Sequence, residues 1–495
     1  MGHLLLLVVI VATACGPGTS SKGAGHGGKG RHGAAPDDKP LRPPVAARRP
    51  VSSVHHGVEV ADPYRWLEGD DAEVEAWSDG QNRYARRVLD ALPDRATVRD
   101  EIRAIVDAPI TGFRDLAAAG GKLFAMRATP DKEQPVLVVM DGTDDAARAR
   151  VVLDPGETFG PLVAIDWFVP SFDGRKVAVS LSSGGSEVGT LHIYDLDGAE
   201  VDNAIENVQR GTGGGDVAWR RDGKGFFYTR YPSADERPAA ERDFYLQVYF
   251  HALGTPVTDD RYELGKDLPR VAEILLATDP RTDRVLASIQ DGDGGTFRHY
   301  LRDASRAPSS APERAWRQLT DWGDQVVSVG FGPKDDLWLV SRKGAPRGMV
   351  QRLPAKAKSL AQAKTIIAEG KDTIVTEFWA EWSVVVTADR LLVTYQTGGP
   401  SELRAFTLAG KPAISPAAPP VAAVGQPVVF GKDILFHAVS YTEAGAWYRQ
   451  RARVVTEIAA LSDEPPVDLT DWEVKRELAT SKDGTQVPLA IVWKK

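Results

Sequence analysis

Hydrolysis by a serine nucleophile needs more than a hydroxyl. The serine must sit on a tight Gly-x-Ser-x-Gly turn between a strand and a helix. A histidine must take its proton, and a carboxylate must hold the imidazole in the right tautomer. The sequence offers one look-alike, Gly184-Gly185-Ser186-Glu187-Val188-Gly189. It lacks the glycine two residues after the serine and follows a strand-like run with no helical pattern behind it, so it reads as a turn. The last histidine, His437, lies inside another strand-like run, and no Ser…Asp…His order can be built in a hydrolase fold. The expected set of catalytic residues in these 495 residues is therefore empty. Metal chemistry fares no better. His55 and His56 lack a third ligand nearby, and His26 and His32 lie in what reads as solvated linker. Asp291-Gly292-Asp293-Gly294-Gly295 opens like a calcium loop, but its twelfth position is Arg302 rather than Glu. His251 and His299 stand isolated and read as structural. No cofactor and no metal is expected.

The elements that would position any chemistry come next. A chain with 42% hydrophobic residues can bury a large core in more than one domain. The net charge of −8 argues against a nucleic-acid partner, and the Trp and Tyr content reads as packing rather than as a base-stacking platform. No window beyond the N-terminus is long and apolar enough for a transmembrane helix. Leu4 to Ala12 is an apolar run of signal-peptide length. Val11-Ala12-Thr13-Ala14-Cys15 resembles a bacterial lipobox and contains the only cysteine. The resemblance implies a lipoprotein-type signal over 1–15 and lipidation of Cys15. It also implies an exported chain held at a membrane, periplasmic or outer surface, by that lipid. An ordinary secretory signal is the alternative. Residues 16–50, rich in Gly, Ser, His, Lys and Pro, read as a disordered tether.

Residues 51–107 read as an arm. His56-Gly57 and Asp62-Pro63-Tyr64-Arg65-Trp66-Leu67-Glu68 suggest an extended segment laid on another surface. Asp70 with Glu73 suggests a capping box, and Val74, Trp77, Tyr84 and Val88 follow at helical spacing. Thr97 with Asp100 repeats the cap signal before a second stripe of Val98, Ile102 and Ile105. From about Gly112 short β-rich runs alternate with turn clusters. A turn rich in Asp, Gly or Lys followed by an aliphatic and aromatic strand recurs at Gly121, Asp173, Asp222, Asp283, Asp336, Asp389 and Gly431. A repeat of about 40–60 residues without helices is the mark of a β-propeller with one blade per unit, here seven, over 108–465. The final stretch pairs an alternating run (Trp472, Val474, Arg476, Leu478) with an apolar one (Val487 to Trp493) across Asp483-Gly484. That is a strong hairpin signal. Its second arm, apolar without alternation, reads as buried on both faces. Residues 466–495 thus look like the opening of a domain that they do not complete.

Several blocks resemble the prolyl oligopeptidase family of serine peptidases. They are the His56-Gly57 and Asp62–Glu68 blocks, then Asp173-Gly174-Arg175-Lys176-Val177-Ala178 with Ser182–Glu187, then Ala218-Trp219 to Tyr231. Gln247 to Pro256 and Ser481 to Pro488 follow in the same order. The resemblance covers about 50–495 and implies an α/β-hydrolase domain capped by a seven-bladed propeller, with the propeller inserted between an N-terminal arm and a large C-terminal part. It implies cleavage of short peptides after proline, with the propeller as a size filter over the active site. The nucleophile elbow, Asp and His would lie beyond Lys495, so the chain alone is expected to be inactive. Apolar surface at Trp66, Leu67, Trp77, Leu489, Ile491 and Trp493 is expected to make it aggregation-prone or dependent on a partner. Three readings stay open at this point: the propeller portion of such a peptidase, one half of a split peptidase completed by a hydrolase polypeptide, or a non-catalytic cell-surface binding module.

Overall fold

The computed structural model describes residues 42–108, 110–303, 312–376, 378, 383–462 and 466–495. The proposed signal and lipidation site at Cys15 lie outside them. The chain divides into two compact units, one ending at Ala108 and one formed by the described residues that follow.

The first unit opens with a hairpin, Val51–His55 paired to Val58–Asp62. Its turn is His56-Gly57, with φ of 51° and 80°. Two successive positive φ values suit a two-residue hairpin turn, and the β-branched runs on either side were the signal that the extended-arm reading passed over. Two helices follow, α1 (Ala72–Asp90) and α2 (Arg95–Val106). The α1 cap is Asp71 rather than Asp70: its Oδ1 accepts the N–H groups of Glu73 at 2.8 Å and Val74 at 3.1 Å. Helix α2 begins before the expected Thr97. Pro93 cannot continue α1, and the chain turns at once into the new helix from Asp94. Residues 44–50 are held to this unit. Trp66 Nε1 donates to Ala47 O at 2.8 Å, Gln81 Nε2 donates to Pro44 O at 2.9 Å, and the Arg49 guanidinium lies over the Trp66 ring while pairing with Glu73.

The second unit is a seven-bladed β-propeller. Its antiparallel blades span 112–153, 163–209, 217–264, 272–320, 326–367, 373–407 and 423–457. Each recurring sequence unit is the turn that leads into a blade's second strand, which is largely buried. In blade 5 all of Asp336–Ser341 is buried. Blades 6 and 7 split their first strand in two: Thr373–Ile374 and Val384–Val386 both pair with Arg390–Gln396, and Ala423–Val424 and Val428–Phe430 both pair with Asp433–Val439. The pairing of third and fourth strands shifts register in blades 1 to 5. Such bulges raise local twist, which a steeply twisted blade needs at its rim.

Apolar clusters lie between successive blades. One joins Phe124 and Val139 of blade 1 to Val177 and Val179 of blade 2, and another joins Phe227 and Val248 of blade 3 to Ile274 and Trp316 of blade 4. The ring closes the same way. Phe113, Leu116 and Val138 of blade 1 pack with Leu435 and Trp447 of blade 7, and Trp447 Nε1 donates to Phe113 O at 2.8 Å. Polar ties accompany the packing. The carboxylate of Glu263, wholly buried on blade 3, accepts from Arg302 Nε at 2.9 Å and from Trp316 Nε1 at 3.2 Å, both on blade 4.

The terminal hairpin pairs Trp472–Thr480 with Gln486–Lys494 in continuous register. The expectation of a doubly buried second arm is overturned. Leu489 is 43% exposed and Ile491 40%, because the two strands pair only with each other. Arg476 Nη2 donates to Gly398 O on blade 6 at 2.9 Å.

Gly120 ends the inner strand of blade 1 at φ +57°, where a Cβ would lie 2.1 Å from Asp173 O in the adjoining turn of blade 2. Gly121, at φ +75°, faces open space. Gly121→Ala should therefore cost only backbone strain, about 1 kcal/mol. Gly120→Ala should cost about 3 kcal/mol or more by adding a backbone clash between blades. Paired denaturant titrations of the two variants check the difference; equal losses would mean that the turns do not pack as described.

Candidate functional site

No Ser, His and Asp come together as a triad among the described residues. Ser186 sits in the exposed turn between the second and third strands of blade 2, where its N–H bonds Ser183 O at 3.1 Å and its hydroxyl accepts from Val188 N at 3.3 Å. His437 lies on the second strand of blade 7 with its ring 5.4 Å from that of Trp447. His55 Nε2 is 2.8 Å from Ser53 Oγ at the arm hairpin. Asp291 to Gly295 form a short turn between two strands of blade 4.

His251 differs from its reading as an isolated histidine. Wholly buried on the third strand of blade 3, it lies between two carboxylates: Nδ1 is 2.6 Å from Asp260 Oδ1 and Nε2 is 3.1 Å from Asp202 Oδ2. Both partners are acceptors, so both ring nitrogens must donate and the imidazole is held as the cation. Burial opposes that charge, but the hydrogen bonds and attraction of Asp260 and Asp202 outweigh it and raise the His251 pKa. Tyr228 O–H also donates to Asp260, at 2.8 Å. Asp202 belongs to the loop inside blade 2, so the cluster ties blade 2 to blade 3. Sequence spacing gave no hint of it, since Asp202 lies 49 residues from its partner.

The concave site of the propeller is a cavity of about 540 Å3 among the inner strands of blades 2 to 5. Asp166 to Val169 of blade 2, Leu275 to Ala277 of blade 4 and Val327 to Val329 of blade 5 wall it, with the loop from Gln209 to Val217 at one side. That loop is glycine-rich for a reason of space: a Cβ on Gly215 would fall 2.1 Å from Val208 O. The wall is graded. At the blade 2 side Asp166 accepts the hydroxyls of Ser180 at 2.7 Å and Ser182 at 2.5 Å. Burial raises the Asp166 pKa, the two serines pull it back, and Glu187 adds to the rise. Arg210, also in the wall, donates from Nη1 to Asp243 at 2.9 Å and from Nη2 to Asn207 at 2.7 Å. At the blade 4 and 5 side the wall is apolar apart from Ser288, Ser328 and His299. His299 is fully buried, its Nδ1 is 2.7 Å from Thr320 Oγ1, and desolvation alone lowers its pKa to about 3. It is a neutral imidazole at physiological pH. Asp166 escaped the sequence reading altogether, because blade register alone brings it into the cavity.

With this architecture in view the comparisons decide the family. Residues 43–450 match the family model described as prolyl oligopeptidase, N-terminal beta-propeller domain. The chain belongs to the prolyl oligopeptidase family. A prolyl endopeptidase of Elizabethkingia meningoseptica is 23% identical over 468 residues, covering 92% of this chain and 62% of that protein. Prolyl oligopeptidase A of Amanita bisporigera is 27% identical over 237 residues, 41% of this chain and 29% of that protein. Among solved structures, one from a study of two prolyl endopeptidases and their inter-domain dynamics matches at a TM-score of 0.77 and 25% identity, over 91% of this chain and 64% of that one. Prolyl oligopeptidase B from Galerina marginata, bound to a 25mer macrocyclization substrate, matches in fold at a TM-score of 0.78, with 17% identity over 92% of this chain and 65% of that one. The chain thus spans about 62% of the length of the bacterial prolyl endopeptidase.

The His251 cluster has a defined pH signature. Its folded-state pKa is raised, so the stabilisation is complete below the unfolded value of about 6.5 and is lost as the pH climbs through the folded value. His251→Gln should lower the melting temperature more at about pH 5.5 than at about pH 9.5. An equal loss at both would show that His251 is neutral in the folded protein.

Proposed function

We propose that this chain is the propeller portion of a serine peptidase that cleaves short peptides after proline, and that the ring admits peptides of small cross-section while excluding folded chains. The observation that carries this reading is the match of 408 residues, 43–450, to the family's propeller, together with a cavity of about 540 Å3 within the ring. The catalytic serine, histidine and aspartate of that chemistry are assigned to a hydrolase portion other than these 495 residues, because none of the described residues forms such a triad. The exposed apolar run of the terminal hairpin supports a reading in which another surface covers it, and favours this over a self-sufficient binding module.

The 495-residue chain alone should neither hydrolyse a Gly-Pro chromogenic peptide nor react with a fluorophosphonate. Co-expression with the polypeptide that carries the hydrolase portion should restore cleavage after proline, confined to short peptides. Labelling of the isolated chain by the fluorophosphonate would overturn the assignment.

We also propose export and lipid anchoring at Cys15, supported by the apolar run Leu4 to Ala12 and the lipobox-like Val11 to Cys15. Radiolabelled fatty acid should enter the wild-type chain in a bacterial host and not Cys15→Ser, and the variant should leave the membrane fraction. Unlabelled wild-type chain in the soluble fraction would remove the anchor.

A further inference from the structure

Blade 6 is incomplete at its outer edge. Among the described residues it alone has no fourth strand: its third strand, Ser401–Thr407, pairs with Arg390–Gln396 and with no strand beyond. The reason is in the sequence. The segment that should supply the strand contains Pro416, Pro419 and Pro420. A proline has no N–H for a ladder and is excluded from the inside of a sheet. The segment therefore meets the third strand only toward its two ends. Ala413 N donates to Ala405 O at 2.9 Å and Ala405 N to Ser415 Oγ at 3.0 Å; at the other end Ser401 N donates to Ala422 O at 3.0 Å. Between these points it swings outward and leaves a groove of about 590 Å3. Ser401 to Arg404 wall one side, Ser415 to Ala422 the other, and Arg476 of the terminal hairpin joins them.

Two independent observations point to what this groove takes. The first is backbone. Alternate residues of a strand turn their polar groups to the same side. Ser401 and Ala405 bond toward the groove, so the N–H and C=O of Leu403 face it as well. Thr394, opposite Leu403, shows the same register from the other side, since its carbonyl accepts from Val375 N at 2.9 Å on the far edge. The Leu403 side chain is packed in the core between blades 6 and 7, which leaves its backbone at the floor of the groove. That N–H and C=O have no partner among the described residues. An open strand edge is a template for another strand, and a buried one without partners is costly.

The second observation is charge. Arg476 Nη2 donates to a neutral group, Gly398 O, and no carboxylate pairs with this guanidinium among the described residues. The other charges of the wall are compensated, since Arg404 is paired with Glu402 and Asp372. Gly398 precedes the third strand, so Arg476 stands at the end of the groove where that strand begins. The strands of the blade pair antiparallel. A guest strand that keeps this order has its C-terminal end beside Arg476.

We propose that the groove binds an extended peptide as the missing fourth strand of blade 6, with its backbone paired to Leu403 and a carboxylate at its C-terminal end on Arg476. The site shares no residue with the central cavity and does not depend on the peptidase reading. The carboxylate has two sources of the same chemistry, a free C-terminus or an acidic side chain.

Calorimetric titration of the full 495-residue chain at low salt separates them. The probes are Ac-Ala-Val-Ala-Val-OH, Ac-Ala-Val-Ala-Glu-NH2 and the neutral Ac-Ala-Val-Ala-Val-NH2. At least one acidic probe should bind about tenfold or more tightly than the neutral one, as a charge-assisted contact provides. Which acidic probe does so identifies the source. Arg476→Met should erase that preference. A second measurement leaves the protein unaltered: the amide nitrogens of the bound probe are methylated one at a time. Methylation at one position, the N–H that meets Leu403 O, should abolish binding. Equal binding of all three probes, or a preference that Arg476→Met leaves intact, overturns the carboxylate contact and with it the proposal. Tolerance of methylation at every position overturns the strand pairing. Binding of none overturns the site, while the peptidase assignment is tested separately by the co-expression assay.

Discussion

The structure depends on a seam. A blade is a sheet with two faces, and both must be covered, so a propeller is stable only when its last blade meets its first. Here no strand is exchanged across that junction: blade 1 and blade 7 are each built from consecutive segments of chain. Side chains alone close the ring, chiefly Phe113, Leu116 and Val138 against Leu435 and Trp447, with the indole N–H of Trp447 on the Phe113 carbonyl. Arg449 of blade 7 adds a bond to Thr143 Oγ1 at 3.1 Å. A hydrogen bond of this kind is worth only about 1 kcal/mol net, so the seam holds by apolar packing, as every other blade junction does. The cavity inherits this constraint. Its walls come from four blades whose spacing only a closed ring can fix.

Charge is distributed with the same logic. Two buried ions are compensated across blades: Glu263 by Arg302 and by Arg261, whose Nε lies 2.9 Å from Oε1, and His251 by Asp202 and Asp260. Removing one partner from such a set leaves an uncompensated buried charge, which is why they behave as clamps between blades. His299, on the cavity wall, is by contrast a neutral imidazole.

Much of the fold was legible because propeller blades repeat. Each turn that announced a unit, from Gly121 to Gly431, leads into a buried second strand, so one local pattern counted the blades. The arm was less legible. Its caps shifted, by one residue to Asp71 and by three to Asp94 after Pro93, and its hairpin hid in a His56-Gly57 turn rather than the commoner Asn-Gly. The buried second arm of the terminal hairpin failed for a different reason. An apolar run without alternation signals coverage on both faces, and it says nothing about whether the covering surface is present. The cavity was the least legible part. Asp166, Glu187 and His299 are set together by blade register over more than a hundred residues, and no spacing rule reaches that far.

The division of labour follows from what each kind of element can hold. A nucleophilic serine needs a strained turn at a strand-to-helix junction and a histidine fixed beside it. The turn at Ser186 is exposed, bonds its own backbone and has no such histidine beside it. Stacked blades provide the opposite property, a rigid wall whose side chains are locked by neighbours on both faces. In the function proposed above, such a wall would sort peptides by cross-section. In Asp166 it carries a carboxylate pinned by two serine hydroxyls, and in His299 an imidazole pinned by Thr320 and Phe297. Groups held so firmly lose little freedom when a ligand arrives.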